Sequence, residues 1–225
     1  MKNGKGNEHP ERYAVGWAIV VTLASLIYAI VRYNIFGNVP LEYIPLYVSS
    51  KGISVASVAL IGMSLILGPL ARFWPRVFAT KFYLRKYFGL LGFGLAALHS
   101  LISLMIFSPA YYPRFFEEGG KLTAAGELSM MFGVIALFIF SIVAITSLPS
   151  VEKTMGRKRW LDVQRAGYMA FALVGLHVFA MGYKGWTQMA AWPGGLPPIT
   201  LLAFVIVAFV ILMRLLAIVF PRRTT

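Results

Sequence analysis

Six long apolar runs constrain this chain more than any other feature, at about residues 13–33, 50–70, 87–107, 128–148, 163–184 and 199–220. Each approaches or exceeds the ~20 residues that a helix needs to cross the hydrocarbon of a bilayer. A content of 59% hydrophobic residues is too high for a soluble domain of 225 residues. All eight carboxylates (Glu8, Glu11, Glu42, Glu117, Glu118, Glu127, Glu152 and Asp162) lie outside the runs or at their ends. A membrane interior imposes that pattern, because an unpaired charge there is costly. The connections are short and carry helix breakers: Pro40 and Pro45, Pro69 and Pro75, Pro109 and Pro113, Pro149, and the stretch Trp192 to Pro198. No linker is long enough to separate domains. The expected fold is an all-α integral membrane protein, a six-transmembrane-helix bundle forming one domain over residues 1–225.

The cations give the bundle a direction. Sixteen lysines and arginines fall at the N-terminus, in the second and fourth connections and at the C-terminal end, against five (Arg32, Lys51, Arg114, Lys121, Lys184) on the other side. Cytoplasmic loops carry such an excess, so both termini are expected in the cytoplasm, as six spans require. This asymmetry accounts for the net charge of +13 without invoking nucleic acid. Arg214, the one cation inside a span, is close enough to Phe220 to snorkel to the cytoplasmic surface. The polar start, Met1 to Tyr13, precedes a run too long for a signal-peptide core, so that run is read as a retained span. The absence of cysteine excludes disulfides, thiolate metal sites, iron–sulfur ligation by this chain and thiol catalysis.

A repeat lies within the spans. Residues 89–99 read GLLGFGLAALH and residues 167–177 read GYMAFALVGLH, sharing glycine, phenylalanine, two leucines and the final histidine in register. Spans three and five run in the same direction, so His99 and His177 sit at one depth. At ~1.5 Å per residue each lies ~20 Å from the cytoplasmic edge of a ~30 Å core, nearer the outer face. Residues three, four and seven away share a helix face with each histidine. For His99 these are Gly92, Leu95, Ala96 and Ser103; for His177 they are Ala170, Leu173, Val174, Ala180 and Met181. Small residues such as Gly92, Ala96 and Ala170 would let a flat macrocycle approach the backbone, and the apolar ones would exclude water. Neutral imidazole is an ordinary axial ligand of haem iron. A lone intramembrane histidine can equally serve as an interhelical hydrogen-bond partner; the depth-matched pair within a repeat favours ligation. His9, in the polar tail, reads as an ordinary solvated residue, and the methionines read as packing residues.

These residues carry a family resemblance over roughly residues 84–186. The Gly89-to-His99 run, Ala144-Ile145-Thr146-Ser147, and Gly156-Arg157-Lys158-Arg159-Trp160 followed by Gln164-Arg165 and the run to His177 resemble the ferric reductase-like transmembrane domain family. Within it the likeness is nearest to the haem-binding membrane subunits of bacterial periplasmic methionine sulfoxide reductase systems. The resemblance implies b-type haem between the third and fifth helices and electron transfer across the bacterial inner membrane to an outward acceptor. Two-haem members carry a further histidine thirteen residues earlier on the fifth helix, where this chain has Gln164, with Arg85 and Lys86 at the matching depth of span three. One haem per chain is therefore expected, ligated by His99 and His177. A span of ~20 Å to the cytoplasmic edge must then be bridged by a quinol, a flavin or a partner's cofactor.

Beyond lipid, the expected partners are redox proteins on either side of the membrane. Lys184 and Arg114 are candidate cations for the haem carboxylates. Neither a GxGxxG in a βαβ context nor a P-loop is present, so a nicotinamide donor would act through another protein. The cytoplasmic cations could dock an acidic flavoprotein, though they serve more simply as topology determinants. The reading is an electron-transfer subunit rather than a complete enzyme. The alternative is a haem-free structural subunit of a larger membrane complex. A transporter is weaker, since the spans hold no carboxylate for ion coupling and no inverted repeat.

Overall fold

The computed structural model describes residues 10–220, and among these no strand forms apart from a single bridge between Phe116 and Leu122. Lys2, Lys5, His9, Arg222 and Arg223 lie outside the described residues, and with them the reading of His9 and part of the cation asymmetry. Six long helices occur: α1 (Pro10–Ile30), α2 (Ser49–Phe73), α3 (Leu84–Met105), α4 (Ala124–Thr146), α5 (Arg157–Trp186) and α6 (Ile199–Val219). With their flanking turns all six are long and apolar enough to cross a membrane, and the chain is a multi-pass membrane protein.

Two boundaries differ from the hydropathy pattern for identifiable reasons. The path into α2 is already helical from Leu41, through the turns Leu41–Tyr43 and Ile44–Val48. Pro45 falls in the first positions of the second turn, where a missing N–H removes little. Helix α5 begins at Arg157 rather than near 163, directly after Gly156. The intervening Arg-Lys-Arg-Trp-Leu-Asp contains no breaker, and its charge hides a helix from any hydropathy reading.

Helix α2 is the centre of the assembly and packs against α1, α3 and α6. Its sequence explains why: Ser50, Gly52, Ala56, Ser57, Gly62 and Ser64 are buried and small, so neighbouring backbones come close. A methyl added at Gly52 would lie 2.9 Å from the Leu26 Cα of α1. One added at Gly92 of α3 would lie 2.9 Å from the Ile61 backbone nitrogen of α2. The largest buried cluster joins Val58, Ile61 and Leu65 of α2 to Phe171 of α5 and Val207 and Val210 of α6. Away from it, Leu128, Met131, Ile135, Phe138, Ile142 and Ile145 form an exposed stripe along α4, as a lipid-facing surface requires.

The helices associate as two close pairs, α3 along α2 and α5 along α4, with α6 bridging α2 and α5. Helices α3 and α5 themselves barely approach one another. A gap therefore separates the two helices that carry the repeat. One end of the bundle holds the connections around 36–40, 106–123 and 187–198 and is called the histidine end; the opposite is the arginine end.

Candidate functional site

Each histidine is clamped by a serine from the helix it packs on. His99 of α3 places Nδ1 3.1 Å from the Ser50 carbonyl oxygen and 2.9 Å from the Ser50 Oγ of α2. His177 of α5 places Nδ1 2.8 Å from the Ser129 carbonyl oxygen and 3.0 Å from the Ser129 Oγ of α4. Serine and histidine stand 49 residues apart in one pair and 48 in the other. A carbonyl oxygen only accepts, so Nδ1 of both rings carries the proton and donates it. Nε2 of both rings then keeps its lone pair, and no described residue bonds it. Ser50 and Ser129 are 0% and 2% exposed, so the clamps are shielded from competing water.

Both rings are half-buried, on the two helices that flank the gap. Two neutral imidazoles with fixed tautomers and free Nε2 atoms, on helices that barely approach one another, are of the chemistry that an iron-centred macrocycle needs. A carbonyl partner behind a ligating imidazole is what orients such a ligand and raises its basicity. Gly133 of α4 belongs to the same arrangement. A methyl there would lie 3.0 Å from the His177 Nδ1, so the missing side chain lets the ring lie flat on α4 and reach Ser129.

Of the other residues expected at the site, three pack between helices and two lie exposed at the histidine end. Gly92 is buried against the α2 backbone, so its size serves the α2–α3 contact. Ala170 is 0% exposed within the central cluster, and Ala96 packs against that same cluster. Lys184 and Arg114 lie exposed on the histidine end. Arg214 is half-buried, facing the arginine end, and rests on the Tyr168 ring, 4.9 Å from its centroid.

Comparison with known proteins places this geometry. The ferric reductase-like transmembrane component family matches residues 53–175, more than half of the chain. The chain belongs to that family. The matched stretch contains His99 and Ser129 and stops two residues short of His177. The metalloreductases STEAP2 of mouse and of human are each 25% identical to it over 203 residues, covering 77% of this chain. It spans only 41% of the length of those relatives.

This ferric reductase-like chain has a cavity of about 600 Å³ towards the arginine end, lined by α2, α3, α4, α5 and α6. Arg72, Arg85, Lys86, Arg165 and Arg214 line it together with Phe82, Tyr83, Trp160 and Tyr168. Its one carboxylate, Glu152, is engaged by Lys86 at 3.3 Å. Gln164 also lines it, but the Gln164 Nε2 donates to the Val143 carbonyl (3.2 Å), Thr146 Oγ1 (3.3 Å) and Ser147 Oγ (3.0 Å). Its amide is spent on α4. Sequence reasoning missed Ser50, Ser129, Gly133 and Lys51. The signal for the serines was present, because each precedes its histidine by nearly the same offset; Gly133 and Lys51 carry no such mark.

Proposed function

We propose that this chain is a membrane electron-transfer component that holds one b-type haem between His99 and His177 and passes electrons towards an acceptor at the histidine end. The observation that carries the reading is the matched pair of serine clamps. Each fixes an imidazole in the tautomer that can bind iron, and the two rings flank one gap. Haem supplies the reversible one-electron chemistry that a chain with so few charged groups in its interior lacks. The residues of this chain do the rest. Ser50 and Ser129 hold the imidazole tautomers, Gly133 admits the His177 ring, and the central cluster around Phe171 keeps water from reaching the gap through the bundle.

Electrons enter, on this reading, through the cavity at the arginine end. Five cations and six aromatic rings suit a planar, anionic donor such as a flavin, and a quinol is the competing choice. The amide of Gln164 is directed to α4, which argues against a second haem there. On this reading the arginine end and both termini face the cytoplasm of a bacterium, with the chain in its inner membrane as one transmembrane domain; the cation excess supports that direction. The relatives' printed activity, metal reduction, is one terminal step that such a relay can serve; a protein acceptor outside the membrane is the other. The chain would work as a subunit, with soluble partners at both faces.

The test is a dithionite-reduced minus oxidised spectrum of the purified protein, with a pyridine haemochrome assay for stoichiometry. A sharp low-spin b-type signal at one haem per chain is expected. A protein that stays colourless after growth with ample haem overturns the reading in favour of a structural subunit. Two haems per chain would overturn the assignment of the arginine-end cavity.

A further inference from the structure

Lys51 follows Ser50 directly, so it stands beside the clamp that holds His99. Its Nζ lies over three tyrosine rings, 4.2 Å from the centroid of Tyr47 and 5.4 Å from those of Tyr33 and Tyr112. Arg32, 8% exposed, sits against the same Tyr33 ring at 5.0 Å and spends its Nε on the Leu196 and Pro197 carbonyls (3.2 and 2.9 Å). Two cations thus share one aromatic wall at the histidine end.

Among the described residues no carboxylate is paired with either. Lys86–Glu152 and Asp162–Arg165 are ion pairs at the arginine end. Glu42, Glu117, Glu118 and Glu127, the acidic residues nearest in sequence to this end, are all exposed. Burial pushes the Tyr112 phenol above its ordinary value, so it stays neutral at physiological pH and offers no anion. Tyrosine faces attract an ammonium through the ring quadrupole but bring no counter-charge to it. The cage holds the ammonium in place but leaves its charge unpaired, next to a histidine that faces a gap.

We propose that Lys51 is the anion-binding pole of the histidine-end site, and that its ammonium takes a carboxylate. On the haem reading, from which this inference follows, that carboxylate is carried by the porphyrin edge; the other source of the same chemistry is a carboxylate-bearing electron acceptor arriving from outside. Lys51 takes over the role that the sequence suggested for the exposed Lys184 and Arg114. Tyr47, Tyr33 and Tyr112 keep the ammonium from snorkelling away to water.

The test compares wild type, K51M and K51R in lipid nanodiscs, each loaded with haemin or with haemin dimethyl ester, whose carboxylates are blocked. Haem loss to excess apomyoglobin is the readout. K51M should lose haemin on the order of tenfold faster than wild type, with K51R close to wild type. Wild type carrying the dimethyl ester should lose it at the K51M rate, and K51M should show no further loss. That outcome assigns the carboxylate to the porphyrin, and its wild-type arm requires no mutation. Unchanged haem retention in K51M, with reoxidation by citrate-chelated ferric iron slowed about tenfold and reoxidation by hexaammineruthenium(III) unaffected, assigns it to the acceptor. If the wild type binds haem and K51M alters neither loss nor reoxidation, the inference about Lys51 falls alone. If the wild type binds no haem, the functional reading falls first.

Discussion

His177 and Gln164 stand on the same helix, thirteen residues apart, and their surroundings are alike in kind. Each is a polar side chain at membrane depth, each turns towards α4, and each meets serine hydroxyls and backbone carbonyls there. The difference lies in what is left over. The imidazole satisfies α4 with Nδ1 and retains a second nitrogen, with a lone pair, on its other edge. The amide of Gln164 gives its Nε2 to three acceptors at once and keeps no nitrogen that could bind a metal. The helix opposite repeats the contrast, with His99 at one level and Arg85 and Lys86 at the other. The same architecture thus yields a pair of imidazoles, the proposed haem ligands, at one end and a cationic, aromatic cavity at the other.

Removing the ligands is the widest way to break this comparison. His99→Ala and His177→Ala should each lose most of the reduced b-type absorbance, to on the order of a tenth or less of wild type, since a vacated axial position leaves iron held from one side only. Gln164→Ala should leave haem content unchanged, because its amide is committed to α4. Pyridine haemochrome values normalised to protein decide this. Loss of haem in the Gln164 variant would show that the two levels are not chemically distinct.

Next in size are the serines, where the two halves of the clamp are unequal. His99 has a second hydroxyl, the Ser103 Oγ at 3.3 Å, whereas His177 depends on Ser129 alone. Removing a partner behind a ligating histidine typically costs 10–100-fold in affinity. The carbonyl survives a serine-to-alanine change, so Ser129→Ala should weaken haem retention by about tenfold, the low end of that range. Ser50→Ala should cost less, and the double variant Ser50→Ala, Ser103→Ala should match Ser129→Ala. Competition with apomyoglobin and the reduction potential together separate this from a general loss of fold. A structural role alone would lower stability without moving the potential.

The same contrast explains what the sequence made legible. Six helices and the depth of the histidines follow from hydropathy and the repeat, because both are properties of a single segment read along its length. The start of α5 at Arg157 was hidden because its first turns are charged, and hydropathy registers charge rather than helix. The packing role of Gly92 was hidden for a related reason. A small residue one face-turn from a histidine looks the same whether it faces a ligand or a neighbouring helix, and only packing on Ile61 tells the two apart. Lys51 was counted as a loop cation because its cage is assembled from Tyr33, Tyr47 and Tyr112, on separate stretches of chain. Pairings between elements carry no periodic signature.

At the arginine end, Arg85→Met and Arg214→Met should slow reduction by an added flavin on the order of tenfold while leaving the haem spectrum in place. Both guanidinium groups line the cavity, and Arg214 is held over Tyr168. The slowing should fade as salt is raised, as for any encounter steered by charge. An equal rate in wild type and both variants would remove the cavity from the electron path and favour entry by quinol from the membrane.

The smallest effects come from two glycines, and they separate packing from positioning. Alanine is favoured over glycine in a helix by about 0.8–1 kcal/mol, so each change starts from a small gain. At Gly92 the new methyl meets backbone of α2, the Ile61 nitrogen at 2.9 Å, which has nowhere to move. Overpacking of that kind costs about 1–3 kcal/mol, so Gly92→Ala should lower the melting temperature yet leave the spectrum of the folded protein unchanged. At Gly133 the methyl meets a side chain, the His177 ring at 3.0 Å, which can tilt. Gly133→Ala should therefore melt close to wild type, while the tilt lengthens the bond from Nδ1 to the Ser129 carbonyl and shifts the reduction potential. Thermal unfolding and potentiometry on the two variants read out opposite patterns if α2 is scaffold and α4 is the bed of the ligand. Matching patterns would mean that both glycines merely pack helices, and the clamp at His177 would lose its structural basis.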